Sequence, residues 1–592
     1  MLFPLNRSPI VSVLADRSGC PRRTAGGWRL PMVFAAMLLA AGDRGSNVRS
    51  AELAGAGTGE LAGAGTGERP GLEPSGVQHW VDAIYRHDLQ PLAATTCAGS
   101  ACHGGPQPGV AKPVNDGQSA YGLWLERDPH ARSWESVSGP AGLAMLNRLG
   151  IIEGDQVLDP AGLNNCLACH NSHPAVPTAS ATSESAAGSP TGLRVEQFEP
   201  LHTEGVACSS CHGPAERWLT SHYTAAFDPR AATADGFVLT RDPVIRARVC
   251  ASCHVGDHDR DMNHDIIAAG HPALRFEMAS HHARLPKHWR EPREQDPSAL
   301  EAELWTAGAI ASADAWLALQ QGRALHATAV STWPELSAYD CGSCHQTLRL
   351  NSDRRPLADV QQRGSAKMSR WDLAPLTFWA QADLSAGPAE KARDASGLMD
   401  SIAIMRRQLE VMAVPPRQEF TAQAAALRAR LPELASPAHR GRWQPRENFP
   451  SPASRGLVGL MTLASRHTDP ADNWETASHF YLLLAASRHD WPIGQKPELI
   501  SQAQAMRRGL SLPAGFDSPR YELRHPIGPE LNREEMSQRI RLFVDTLNGV
   551  NVPPPASELP GQPAGPARVL HGSSTSVQPP DPAPGVSDAR DY

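Results

Sequence analysis

The sequence predicts an all-α, loop-rich protein, and three observations predict it. Several stretches repeat apolar residues every three or four positions, the period of an amphipathic helix. The 592 residues include 49 Gly and 52 Pro but only 6% aromatics, so loop is plentiful and bulky core formers are scarce. Five times, two cysteines are followed directly by a histidine. Whatever those five motifs hold has to supply part of the missing core.

The elements follow in chain order. Arg22, Arg23 and Arg29 precede an apolar run from Pro31 to Ala41, and the small residues Ala40-Ala41-Gly42 end it. That is the layout of a secretory signal over residues 1–42. The run is about 11 residues long, short for a bilayer span, so an uncleaved N-terminal membrane anchor is the alternative. Residues 43–76 read as a flexible linker, because the segment Glu52–Gly59 is repeated unchanged as Glu60–Gly67 and is Gly-rich. His79 and His87 flank a short helix. All five motifs fall within 77–350, interrupted by an Ala/Ser/Thr/Pro-rich surface insertion at 174–192. A long helix is expected from Pro297 to about Leu325, with Leu300, Leu304, Ala307, Ala311, Ala315 and Ala318 on one face.

Beyond Leu350 there is no cysteine. Residues 351–395 read as a connecting segment and 396–550 as a helical domain. Met399, Ile402, Met405, Leu409 and Met412 mark one helix, and 456–466 and 472–487 mark two more, the second starting at Asp469-Pro470. Asn532 and Glu535 form a capping box for a helix through Leu547, with Met536, Ile540, Phe543, Val544 and Leu547 on its apolar face. Residues 551–592, rich in Pro, Ser and Gly, are expected to be disordered.

Four of the motifs are Cys-x-x-Cys-His: Cys166-Cys169-His170, Cys208-Cys211-His212, Cys250-Cys253-His254 and Cys341-Cys344-His345. The fifth, Cys97 to Cys102-His103, has four residues between its cysteines. With 11 Cys and 24 His in the chain, one such motif arises by chance in roughly one chain of this kind in a hundred. The pattern is the attachment chemistry of c-type haem. Two thiols form thioethers with the porphyrin vinyl groups, and the adjacent imidazole becomes the proximal iron ligand. Zinc knuckles and disulfides also use paired cysteines, but neither requires a histidine after every second one. The expectation is five covalently attached haem c groups, with porphyrins forming much of the core of 77–350.

The sixth ligand of each iron decides what it can do. Between His79 and His345 there are 18 histidines, and only six follow in the remaining 247 residues. The spare ones near the motifs are His130, His173, His202, His222, His258, His264, His271, His281 and His282, enough to close every iron. Met262 and Met278 are candidate sulfur ligands. His439, His467, His479, His489, His525 and His571 lie far from any motif and read as non-ligands.

The segment Gly205-Val-Ala-Cys208-Ser-Ser-Cys211-His212-Gly-Pro-Ala-Glu-Arg-Trp, flanked by His202 and His222, resembles the multihaem cytochrome c-552/c-554 family. Asp128-Pro-His130-Ala-Arg-Ser-Trp, Met262-Asn-His264 through His271-Pro-Ala-Leu-Arg-Phe-Glu, and Tyr339-Asp-Cys341 are similar to it too. The resemblance covers about residues 77–350. It implies closely stacked haem pairs, mostly with two histidine ligands, and it implies His130, His202, His222, and His264 or His271 as distal ligands. The four-residue gap at Cys97–Cys102 and the C-terminal helices depart from the family pattern.

The expected function is electron transfer between redox protein partners, in the periplasm or otherwise outside the cytoplasm, with no transmembrane segment in the mature chain. The alternative is an oxidoreductase with one open iron acting on a small nitrogen or sulfur compound. Related nitrite reductases commonly use Cys-x-x-Cys-Lys at the catalytic haem, and this chain has none. A net charge of -7 without blocks of like charge gives no sign of nucleic-acid binding.

Overall fold

A computed structural model describes residues 89, 91–105, 119–172, 204–257, 260–291, 296–327, 332–345, 366–386, 389–412, 414–435, 456–467, 470–512 and 532–549. The signal, the linker, His79, His87, His173, the 174–192 insertion, His202, His258 and the 551–592 tail all lie outside the described residues.

Helices run in the order α1 (Ala120–Arg127), α2 (Ser133–Ser138), α3 (Pro140–Arg148), α4 (Pro160–His170), α5 (Cys208–His212), α6 (Pro243–His254), α7 (His264–Ala268), α8 (Met278–Arg284), α9 (Pro297–His326) and α10 (Cys341–Cys344). Then follow α11 (Ala374–Ala386), α12 (Ala389–Val411), α13 (Arg417–Leu434), α14 (Gly456–His467), α15 (Trp474–Ala486), α16 (Lys496–Gly509) and α17 (Arg533–Leu547). Among the described residues the one sheet is a two-stranded antiparallel ladder, pairing Ile152 with Val157 and Glu153 with Gln156. The described chain is therefore mostly helical, as its periodicity predicts. Among these residues no helix is long and apolar enough to cross a membrane.

Side-chain caps start the helices that matter most. Asp242 accepts from the Val244 and Ile245 amides ahead of α6, and Asp296 from Ala299 ahead of α9; both helices have Pro at the first turn. An acidic cap satisfies amides that have no intrahelical partner, and Pro has no amide to satisfy there. The expected Asn532 cap is present, accepting from the Glu535 amide, and the five expected apolar residues of α17 are all buried.

Helix α9 is the axis of the described core. It is rich in Ala, and its buried side chains occur all around it, from Ala299 to Ala324. Small residues let α6, α8 and α13 approach it from different sides. At Gly308 the approach is so close that a Cβ would lie 2.5 Å from the Met278 Cβ. Met278 itself is buried in the hydrophobic core. Asp314 of α9 is buried between Arg248 of α6, at 2.7 Å, and Arg428 of α13, at 2.8 Å. Burial alone would raise its carboxyl, but the two guanidinium groups outweigh burial and hold it below the usual range.

One apolar cluster runs from Val244 through α9 to Leu547, so the C-terminal helices and the motif-bearing helix α6 share a core. Arg275 joins the two regions at a second place. Its guanidinium lies 5.2 Å from the Trp371 ring centre and 5.4 Å from that of Trp474. It also pairs with Glu475, which accepts from Ser369 Oγ and the Arg370 amide.

Several elements differ from expectation. The connecting segment 351–395 contains α11, and Trp371, Phe378 and Trp379 there are almost wholly buried. Helix α15 begins at Trp474 behind an Asn473 cap rather than at Asp469-Pro470, because the Asn473 side chain accepts from the Thr476 amide. Helices α13 and α16 went unread, their apolar faces being narrow and interrupted by charge.

Gly308→Ala gains about 1 kcal/mol of helix propensity but meets Met278 at 2.5 Å. Overpacking costs about 1–3 kcal/mol, so the variant is expected to be less stable by thermal or denaturant unfolding; a gain would contradict this packing. Asp372 retains some solvent contact, yet burial and the Glu475 carboxylate push it up to about 7 against the pull of Arg275. A raised carboxyl penalises folding once pH exceeds its ordinary value of about 3.9. Asp372→Asn should thus stabilise progressively from about pH 4 to about pH 7 and then level off. A pH-independent difference in unfolding midpoint would contradict it.

Candidate functional site

The motif spacing has a local structural reason. In a helix, residues three apart lie on one face. Cys166/Cys169, Cys208/Cys211 and Cys250/Cys253 occupy such positions at the C-terminal ends of α4, α5 and α6, and the histidine follows as the last helical residue. Cys341 and Cys344 are the first and last residues of α10, with His345 at its C-cap. The longer gap at the first site is taken up by a turn. A short 3-10 helix ends at Cys97, then the Cys102 amide donates to Gly99 O and the His103 amide reaches back to Cys97 O at 3.2 Å.

Each of the five motif histidines faces a second histidine. The ring centres of His103 and His222 lie 6.2 Å apart. Those of His170 and His271, His212 and His288, His254 and His130, and His345 and His264 are each 6.1 Å apart. Two imidazoles on opposite sides of one metal ion, each nitrogen about 2 Å from it, have ring centres roughly 6.2 Å apart. The interplanar angles differ widely, from 18° for His103/His222 to 84° for His130/His254. The common feature is separation, not ring stacking. His281 is different: it sits 5.0 Å from His254, with its Nδ1 on Glu277 O, and packs beside the pair.

The tautomers suit ligation by Nε2. Nδ1 of His222 lies 2.5 Å from Leu219 O, and Nδ1 of His271 lies 2.8 Å from Pro272 O. Carbonyls accept, so each Nδ1 carries the proton and each Nε2 the lone pair. His170 Nδ1 is engaged by Ser136 Oγ and Ser133 O, at 2.9 and 3.1 Å. His130 Nδ1 meets a carboxylate, Asp128 Oδ1, at 2.8 Å. Burial lowers five of these rings, His170, His271, His288, His212 to about 4 and His254 to about 3, so these five stay neutral and able to ligate at ordinary pH. His130 shifts the other way. Burial pulls it down, but the Asp128 hydrogen bond and charge outweigh burial and raise it.

The cysteines place the sites relative to one another. Cys97 and Cys208 are hydrogen-bonded, as are Cys169 and Cys253. In each pair one thiol titrates low, at about 6 for Cys97 and Cys253, and its partner is driven high. Cys211 is close enough to Cys250 and Cys253 to feel their charge. It is open to solvent by area, yet burial among protein atoms pushes it up to about 12, so it lines a recess rather than the outer surface. With the sites numbered in chain order by their first cysteine (Cys97, Cys166, Cys208, Cys250, Cys341), site 1 therefore adjoins site 3, site 3 adjoins site 4, and site 4 adjoins site 2. Site 5 connects to site 2 through one short segment, since α7 starts with His264 and the same loop carries His271. Gly270 turns the chain between them at φ +120°, a conformation open to glycine.

Of the distal candidates, His130, His222, His264 and His271 each face a motif histidine. His264 and His271 are not alternatives: they lie opposite two different motif histidines, His345 and His170. His202 lies outside the described residues. His288 went unread, because it is in an irregular stretch 34 residues beyond the nearest preceding motif. His479 packs on Trp371 in the C-terminal helices, away from the pairs. Among the described residues no cluster of three or more His, Cys, Asp or Glu converges as a metal site. None of the ten motif cysteines is paired in a disulfide.

Comparison with protein-family models, curated proteins and solved structures finds no match for this chain.

Proposed function

We propose that this chain is a five-haem c-type cytochrome that carries electrons between redox proteins outside the cytoplasm. The observation that carries the reading is the recurrence of one His–His separation, 6.1–6.2 Å, at all five Cys/His motifs. The residues fit the group. Two imidazoles at this separation would leave room between them for a macrocycle, and the two cysteines of each motif would supply the thioether links. A zinc ion would instead need four protein donors converging on a point.

The assignments follow from the pairs. Cys97, Cys102, His103 and His222 would hold the first haem, and Cys166, Cys169, His170 and His271 the second. Cys208, Cys211, His212 and His288 would hold the third, Cys250, Cys253, His254 and His130 the fourth, and Cys341, Cys344, His345 and His264 the fifth. Bound there, haem supplies a one-electron iron couple. The chain would hold each haem between two histidines, which would leave small molecules no coordination place, and would keep neighbouring sites in contact. Double histidine ligation favours a carrier over the alternative enzyme acting on a small nitrogen or sulfur compound. The N-terminal signal pattern supports export, where such attachment takes place.

The Asp128 carboxylate bears on the fourth site. A carboxylate on the far nitrogen of a ligating histidine raises its basicity and favours the ferric state.

Low-temperature EPR of the oxidised, matured protein should show low-spin ferric signals alone. A stoichiometric high-spin signal that binds cyanide would overturn the carrier reading. Asp128→Asn should raise the potential of one haem of the five, by on the order of 60 mV for each tenfold loss of ferric preference. Spectroelectrochemical titration checks it, and unchanged potentials at every haem would contradict the role given to Asp128.

A further inference from the structure

The distal ligand of the third site stands on weak local footing. His288 lies in a stretch without regular structure, after the end of α8 at Arg284. Nothing in its own backbone fixes a ring to the required place opposite His212. Three residues later, Glu291 is buried and makes an unusual number of bonds. Arg246 of α6 donates to both its oxygens, at 2.9 and 3.2 Å. His282 of α8 contacts Oε1 at 2.7 Å, and Trp289 Nε1 donates to the same oxygen.

Trp289 transmits this anchoring to the ligand. Its ring meets the His288 ring edge-on, with centres 5.0 Å apart and planes at 85°. The other side of the indole carries the Arg246 guanidinium, 5.2 Å from the ring centre. One carboxylate thus clamps the loop to two helices, and one of these, α6, also carries the fourth site. A buried carboxylate is costly unless its lone pairs are occupied. Here they are occupied by groups from three separate segments.

We propose that Glu291 is a positioning residue that seats His288 opposite His212, so that the third site stays closed to outside ligands. The inference rests on the five-haem reading. A pyridine haemochrome assay on wild-type protein separates the two: a wild type without haem defeats both, whereas five attached haems with wild-type spectra in the Glu291 variants defeats this inference alone.

The test uses full-length, matured Glu291→Ala with five haems attached. One haem in five should become high-spin, bind cyanide, and return to low-spin when imidazole is added. His288→Ala should give the same spectrum, and the Glu291→Ala/His288→Ala double variant should show no more high-spin haem than either. Glu291→Gln keeps the shape and one acceptor oxygen, and should show less high-spin haem than Glu291→Ala. If Glu291→Ala fails to accumulate, Glu291→Gln decides the matter: high-spin haem or altered low-spin g values at one haem support the proposal. Wild-type spectra for the accumulating variants, or high-spin haem that persists with imidazole, would overturn it.

Discussion

Two imidazoles stand opposite each other at nearly one separation, five times over, held by unlike pieces of chain. Much of the described architecture serves that arrangement. Four motif histidines lie at or just past the C-terminal ends of helices, where cysteine spacing and histidine position are set together, and the fifth, His103, lies in a turn. Their partners come from irregular backbone. His130 is in a 3-10 turn, His222 in a turn, His264 at the first residue of a short helix, and His271 and His288 in loops. A loop cannot fix a side chain by itself. Each partner with a described Nδ1 contact is therefore tethered locally: His130 to Asp128, His222 to Leu219 O and His271 to Pro272 O. At the second and fourth sites one histidine is thus set by helix geometry and the other by a local hydrogen bond.

The described C-terminal helices form a wall against the motif-bearing part of the chain. Their core is continuous with α6 and α9, and Asp314 bridges α6 and α13 through two arginines. Removing one member of such a buried set is far more harmful than its net stabilising worth, because a charge is left without compensation. Arg275, between Trp371 and Trp474 and paired with Glu475, ties the loop after His271 to the same wall. A chain with few aromatics concentrates several of them at this junction.

Legibility followed chemistry more closely than topology. The ten motif cysteines and five motif histidines stand out in the sequence because their spacing recurs five times and is the one that thioether attachment of haem would use. The long helix α9 and the face of α17 were legible because one side of each repeats at helical period. The partner histidines were only half legible: sequence proximity suggested His130, His222, His264 and His271, but not which site each faces, since that depends on how separate helices pack. His288 gave no periodic or motif signal. Its clue was the nearby Trp289 and Glu291, whose meaning appears only when Arg246 and His282 are brought beside them. Helix α11 was missed because the segment was judged by its lack of cysteine, although Trp371, Phe378 and Trp379 form an apolar cluster unusual in this chain.

Intact mass spectrometry of the matured protein tests the central claim most directly. The account predicts a polypeptide heavier than its processed sequence by five haem groups, with the added mass retained after denaturation and mapped to the five cysteine pairs. A mass equal to the bare chain, or one explained by disulfides or zinc, would contradict it.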